Sequence, residues 1–287
     1  MTVMFERIAI LAPGLLGGSV ALASQHYGVA RSVALWSRRP EARLKFSQIP
    51  WAGTVPETPE QAVKGAQLVV ICAPVDVIIL LLRQIAPALE AGTIVTDVGS
   101  VKGDICRLAQ QTVGAGVHFV GSHPMAGSEK TGWAHARADL FAGRTVFVTP
   151  LPETHAPAVD QLVRFWSAFE AGVATLHPDE HDEIVAHISH LPQILASALC
   201  AALAKRPAGW RNHAGPGLRD TSRIAGSDPR LWKTILEQNR DEVLRALRAY
   251  QEELHGLDRA LANRDWFELQ AILERGKAYR DQFRPPP

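Results

Sequence analysis

The chain has 287 residues, 47% of them hydrophobic and 21% charged, with a formal net charge of +1. That is enough apolar material for one large or two ordinary domains, and a balanced charge with no run of five like charges gives no footprint for nucleic acid or a membrane surface. The longest purely aliphatic run, Val77 to Leu82, falls far short of a bilayer span; no signal-peptide pattern opens the chain; and the isolated Cys72, Cys106 and Cys200 fit a reducing, cytoplasmic setting without membrane partners.

Arg7–Leu11 is an apolar run that stops at a glycine cluster and reads as the first strand. Helix-period residues follow over Leu15–Ser24. Further strand candidates are Ser32–Trp36, Gln67–Ala73, Thr93–Val98, His118–Gly121, Thr145–Thr149 and Val173–Leu176, with helices over Val77–Leu89 and Ala156–Ala171. Continuous apolar strands alternating with helices predict an α/β domain, a doubly wound and mostly parallel sheet covered on both faces.

After His177 the strand signals stop. Asp179 to Lys205 reads as one helix, kinked at Pro192 because proline removes a backbone donor. A Gly/Pro loop spans Pro207–Leu218, and Asp228-Pro229 supplies an N-cap and a first-position proline. Leu236, Val243, Leu247, Tyr250, Leu254, Leu257 and Leu261 form a helical ladder, and a last helix runs from about Asp265 to Gln282. Two domains are therefore expected, residues 1–176 and an all-α unit over 177–287.

The first strand runs into Ala12-Pro13-Gly14-Leu15-Leu16-Gly17, a G-x-G-x-x-G pattern whose first glycine is alanine. In such a turn the second glycine lets backbone approach a pyrophosphate, the third lets the helix pack on the strand, and the helix start offers free N–H groups. A tight turn without a ligand would use the same residues, but a strand before and a helix after favour a dinucleotide. Where an acidic residue would meet the ribose hydroxyls of NAD, the chain has Ser37-Arg38-Arg39. Guanidinium groups there suit the 2′-phosphate of NADP; solvated surface charges are the alternative. The expected cofactor contacts are Gly14, Leu15, Leu16, Gly17, Ser37, Arg38, Arg39, Cys72, Ala73, Pro74 and Gly99, with NADP favoured and NAD possible.

Two polar, glycine-rich segments follow strands and should face the cofactor: Asp97-Val98-Gly99-Ser100-Val101-Lys102, and Ser122-His123-Pro124 running on to Lys130. His123 is a candidate base near neutral pH, or else a hydrogen-bonded loop histidine. In Gly217–Ala225, Arg219 and Arg223 are four apart and share a helical face, able to hold a dianion or to pair with Asp220 and nearby carboxylates. His190 lies beside the expected kink, as a ligand contact or a core histidine. The spacing of His177, His181, His187 and His190 gives no metal signature.

The segments GLLGGS, DVGSVKG, SHPMAGSEKTG, HISHLPQ and GLRDTSRIAGSDPRLW, in this order, resemble the prephenate/arogenate dehydrogenases of tyrosine biosynthesis over almost the whole chain. The resemblance implies a Rossmann domain followed by a helical domain that forms a homodimer, and oxidative decarboxylation of a cyclohexadienyl substrate without a metal. It implies that His123 is the base for the ring hydroxyl and that Ser100 hydrogen-bonds this hydroxyl and His123. Arg223 would bind a substrate carboxylate, with Arg219, His190, Glu129 and Trp232 lining the pocket. Ser37 departs from the family's acidic residue, which puts NAD preference in question. With no effector module after the helices, feedback control by a separate domain is not expected. Two other readings compete: a Rossmann-plus-helical dehydrogenase of the β-hydroxyacid type, which would want a lysine in the Asp179–Lys205 helix, and a dinucleotide sensor needing neither His123 nor Arg223.

Overall fold

The computed structural model describes residues 3–126 and 132–283. Five strands, β1 (Phe5–Leu11), β2 (Ala30–Trp36), β3 (Leu68–Ile71), β4 (Ile94–Asp97) and β5 (His118–Phe119), form a parallel sheet in the order β2-β1-β3-β4-β5. The period-two alternation of a strand sends Ile8 and Ile10 of β1 into one apolar layer and Ala9 and Leu11 into the other. Both layers are covered by helices, so β3 and β4 are buried at every residue. On one face lie α1 (Leu15–His26) and, later in the chain, α6 (Ala156–Ser167); on the other are α4 (Val75–Ile85) and α5 (Gly103–Thr112). The short α2 (Pro40–Phe46) and α3 (Pro59–Val63) complete this half.

The expected strand 118–121 is two strands. After β5 the chain leaves the first sheet at Val120, and β6 (Gly121–Pro124) joins a second, three-stranded sheet with β7 (Thr145–Thr149) and β8 (Gly172–Thr175). β6 pairs antiparallel with β7, and β7 parallel with β8. Glycine at 121 permits the crossing: a Cβ there would sit 2.5 Å from Thr149 Oγ1 and 2.6 Å from Cys106 Sγ.

Beyond β8 the described chain is helical. α7 (Pro178–Val185) passes through a π-helical turn, Ala186–His190, into α8 (Leu191–Leu203). The expected kink at Pro192 is this π turn, which lets the proline fall in the first turn of α8, where its missing N–H costs nothing. The expected 207–218 loop is partly helical, with a 3₁₀ stretch at Ala208–His213 followed by α9 (Pro216–Ser222). α10 (Pro229–Gln238) starts as expected, with Asp228 accepting the Arg230 N–H at 2.8 Å. The 236–261 ladder is not one helix, because Asn239 (φ −110°, ψ 27°) separates α10 from α11 (Arg240–Ala262). α12 (Trp266–Asp281) closes the fold.

This half buries little. Its apolar cluster has only Ala186, Val243 and Ala246 as buried members, and α12 has none. The span Pro178–Leu203 reaches a mean hydropathy of 1.4 with 28% of that window buried, so by length and composition it could cross a membrane, which the short run at 77–82 does not reveal.

Candidate active site

With strand order β2-β1-β3-β4-β5, successive connections leave β1 in opposite directions, and the crevice between β1 and β3 opens beyond their carboxyl ends. A cleft of about 700 Å³ lies there, lined by residues 12–14 after β1, 36–39 after β2 and 72–74 after β3. It gathers Gly14, Ser37, Arg38, Arg39, Cys72, Ala73 and Pro74 of the expected cofactor set. Ala12, in place of the first glycine, takes the left-handed conformation (φ 57°), which costs an L-residue roughly 1 kcal/mol. A Cβ on Gly14 would meet nothing within 4 Å, so backbone stands open to the cleft just before α1, whose first N–H groups have no side-chain cap. Gly17 lies outside the lining; a Cβ there would sit 2.9 Å from Cys72 Sγ and 3.2 Å from Ile10 Cγ2, so it keeps α1 close to the sheet. Leu15 and Leu16 begin α1 and are not among the lining residues.

The loop after β2 is held by a residue the sequence did not single out. Arg43 donates from Nη1 to Ser37 O at 2.8 Å, and the Arg39 N–H donates to Ser37 Oγ at 3.3 Å. Arg38 and Arg39 are exposed on the cleft rim. These residues fit a nicotinamide dinucleotide: open backbone and a helix start for the phosphates, cations at the ribose end.

The loop after β4 and strand β6 form a buried polar cluster, so His123, expected in a loop, lies on a strand. Ser122 Oγ donates to Asp97 O at 2.6 Å and lies 2.9 Å from Thr96 Oγ1, which sets His123 beside the loop carrying Gly99 and Ser100. Asp97 forms a fully buried ion pair with Lys102 and accepts the Gly99 N–H at 2.8 Å. Gly99 is thus a turn inside the core, where a Cβ would press on Ile78 and Val75, and it does not line the cleft.

His123, 6% exposed, does not bond Ser100. Its Nδ1 lies 2.8 Å from His181 Nε2, and His181 Nδ1 lies 2.8 Å from Asp182 Oδ1. Asp182 also accepts the N–H groups of Lys102 and Gly103, each at 2.8 Å. Ser100 is half-buried and makes no hydrogen bond among the described residues. Burial, then the like charges of His181, Lys102 and His190, hold the His123 ring well below its ordinary value. Burial, helped by Lys102 and His190, brings His181 down to about 2. Both rings are therefore neutral at physiological pH. Burial pushes Asp182 up against the pull of its two backbone N–H donors.

A second group adjoins the first. Asn239 Nδ2 donates to Asp182 O at 2.8 Å and faces His190 Nδ1 at 3.1 Å, so Nδ1 accepts and the proton of His190 sits on Nε2. Among the described residues that Nε2 is buried without a partner, as is Gln193 Oε1. Burial brings His190 down to about 4. Trp232 packs edge-on against its ring, with centroids 5.9 Å apart. An unsatisfied buried donor and an unsatisfied buried acceptor are what a polar ligand would complete. His190 and Trp232, both expected to line the substrate pocket, are in contact, and the neighbouring Asn239, Gln193, His181 and Asp182 were not singled out in the sequence. The sequence signal was present for His181, whose spacing from its neighbouring histidines was weighed only as metal ligation.

Arg223 keeps helical dihedrals (φ −51°, ψ −46°) after α9, so its spacing from Arg219 places both on one exposed side. Arg219 Nε donates to Ala214 O at 3.4 Å. Glu129 lies outside the described residues.

Known proteins match this arrangement along the chain. The family model of the prephenate dehydrogenase nucleotide-binding domain matches residues 20–175, and that of the prephenate dehydrogenase dimerization domain matches residues 177–275. A cyclohexadienyl dehydrogenase of Zymomonas mobilis is 32% identical over 270 residues, covering 92% of this chain and 91% of its own. The crystal structure of a prephenate dehydrogenase from A. aeolicus, in complex with hydroxyphenyl propionate and NAD+, superposes with a TM-score of 0.91 at 26% identity, over 98% of this chain and 99% of that one. A Synechocystis arogenate dehydrogenase superposes at 0.83 with 29% identity, over 96% and 99%. Matched over both its nucleotide-binding and its helical half, this chain belongs to the prephenate dehydrogenases.

Proposed function

We propose that the chain catalyses oxidative decarboxylation of prephenate, arogenate or both, giving 4-hydroxyphenylpyruvate or tyrosine, as a cytoplasmic homodimer. Residues 1–176 hold the dinucleotide, and residues 177–287 bind substrate and dimerise. The observation that carries this reading is a buried, neutral histidine, His123 on β6, set beside the loop after β4 in a domain whose cleft fits a dinucleotide. When bound, the dinucleotide accepts hydride from the carbinol carbon, and loss of the ring carboxylate as carbon dioxide aromatises the ring.

The residues of the chain supply the rest. His123 takes the hydroxyl proton, which requires the neutral form that burial secures. Ser100, with no hydrogen bond among the described residues, is available to bond the same hydroxyl. His190 offers its Nε2 proton, and Trp232 walls that side. Arg223 binds a substrate carboxylate, with Arg219 on the same side; Glu129 is assigned to the pocket on its motif. NADP is favoured over NAD, since Ser37 leaves out the acid that would repel a 2′-phosphate and Arg38 and Arg39 line the rim.

His123→Asn is expected to keep dinucleotide binding and lose turnover by about 10²–10⁴-fold, the contribution of a general base. Steady-state assays with prephenate and arogenate, each with NAD and NADP, check this together with both preferences. Turnover within threefold of wild type removes His123 as the base, and no turnover by the wild-type chain with either ring substrate removes the function.

A further inference from the structure

We infer that His181 and Asp182 are positioning residues that fix His123 in the tautomer its role requires, protonated on Nδ1 and bare on Nε2. The inference rests on His123 being the base. It follows from counting protons along a short chain of hydrogen bonds. Asp182 Oδ1 accepts the Lys102 N–H at 2.8 Å, and Oδ2 accepts the Gly103 N–H at 2.8 Å. A carboxylate so placed only accepts, so the His181 Nδ1 that faces Oδ1 at 2.8 Å carries a proton. His181 is neutral, so its Nε2 is a lone pair. His123 Nδ1 lies 2.8 Å from that lone pair and must be the donor; the opposite tautomer would set two lone pairs against each other.

His123 Nε2 is then the basic nitrogen. When it takes the hydroxyl proton, the substrate O–H bond breaks, an Nε2–H bond forms, and the Nδ1 proton stays where it was. The resulting imidazolium faces the His181 lone pair, which Asp182 polarises through Nδ1–H. This is the orienting logic of a catalytic triad, with a second histidine between base and carboxylate. The charged and titratable groups facing this chain are Lys102, paired with Asp97, from the β4 loop, and His190 from the π turn. Asn239 closes the far side by donating to Asp182 O at 2.8 Å.

Two substitutions and one spectrum test it. His181→Phe removes the acceptor; kcat is expected to fall about 10- to 100-fold, less than the roughly 10⁴-fold loss when a triad carboxylate is neutralised. The ring-substrate KM and the dinucleotide Kd are expected to stay within threefold. His181→Gln, whose Oε1 can accept from His123 and whose Nε2 can donate to Asp182, is expected to restore most of kcat. A Phe variant with wild-type kcat, or a Gln variant no better than Phe, overturns the inference. The spectrum reads the unaltered chain of bonds: ¹⁵N NMR of histidine-labelled wild-type enzyme, with His123→Asn and His181→Gln used only to assign the two rings, is expected to show both His123 and His181 protonated on Nδ1. An Nε2–H tautomer at either ring overturns the inference even if His181→Phe fails to fold. Loss of turnover in His123→Asn beside full turnover in His181→Phe sinks the positioning role alone, whereas full turnover in His123→Asn sinks the base and this inference together.

Discussion

Phe165 and Trp166, at the end of α6, and Phe169 just beyond it are fully buried against Phe5 and Phe141 in a chain of edge-on and stacked rings. In α12, by contrast, Trp266, Phe267 and Tyr279 are 60%, 85% and 61% exposed. The first half closes on itself, with apolar layers on both faces of a sheet. The second has long helices and a buried cluster of three small or medium residues. Helices bury one stripe and need a neighbour to bury it against. The contrast teaches that the helical half is finished by another surface. A second copy of the chain is the proposed occupant, since the matching family model describes a dimerization domain.

The sharpest way to break this comparison is to remove one aromatic side chain from each half. Trp166→Ala leaves a cavity in a closed core and is expected to cost about 3–5 kcal/mol, read in urea melts as a shift that does not depend on protein concentration. Phe267→Glu touches almost nothing within one chain, and in a monomer would change stability by less than about 0.5 kcal/mol. In a dimer it is expected to abolish the concentration dependence of Tm and shift sedimentation toward the monomer. A wild-type monomer at micromolar concentration, or a Phe267→Glu variant that still dimerises, breaks the contrast.

The junction between the halves should be the acid-sensitive part. His123, His181 and His190 all have ring pKa values depressed by burial in the folded state. Above pH 6.5 folded and unfolded chains both carry these rings neutral. As pH falls below 6.5 the unfolded chain binds protons first, so stability drops by about 1.4 kcal/mol per pH unit for each ring. The loss continues to about 4 for His190 and about 2 for His181. Asp97 and Asp182, raised by burial, act in the opposite sense and offset part of it. Tm is expected to be lower at pH 5 than at pH 7; an equal or higher value shows that the carboxyl groups outweigh the rings.

Smaller effects sharpen the division of labour. Arg223→Ala should raise KM for the ring substrate far more than for the dinucleotide, by the roughly 1.5–3 kcal/mol of a charge-assisted bond. Equal effects on both ligands would make Arg223 a structural group. In the first half, a net gain of about 1.4–2.8 kcal/mol from Arg38 and Arg39, after screening at an exposed rim, gives roughly ten- to a hundred-fold preference for NADP. Specificity constants for both dinucleotides, in wild type and in Ser37→Asp/Arg38→Ala, check it. Use of NAD as good as NADP by the wild type, or an unchanged ratio in the double variant, ends this reading of the loop.

The alternation of strands and helices, the glycine turn after β1, the Asp228 cap and the change to an all-helical chain near 177 were legible in the sequence because each depends on neighbours a few residues apart. The same locality let Cys72, Ala73 and Pro74 be placed at the cleft, since a loop after a parallel strand must open at its carboxyl end. Tertiary structure alone decided the split of the 118–121 strand, because the reason is Thr149 and Cys106 crowding Gly121 from elsewhere in the chain. It decided the break at Asn239, whose side chain is drawn to the His190 ring and the Asp182 carbonyl. It also decided the partner of His123. Ser100 stands nearer in sequence, yet His181, 58 residues away, takes Nδ1, because α7 packs against β7 and α5 and brings its ring to His123. Hydrogen bonds across such separations leave no periodicity in a sequence; they exist only once the sheets and helices have closed around them.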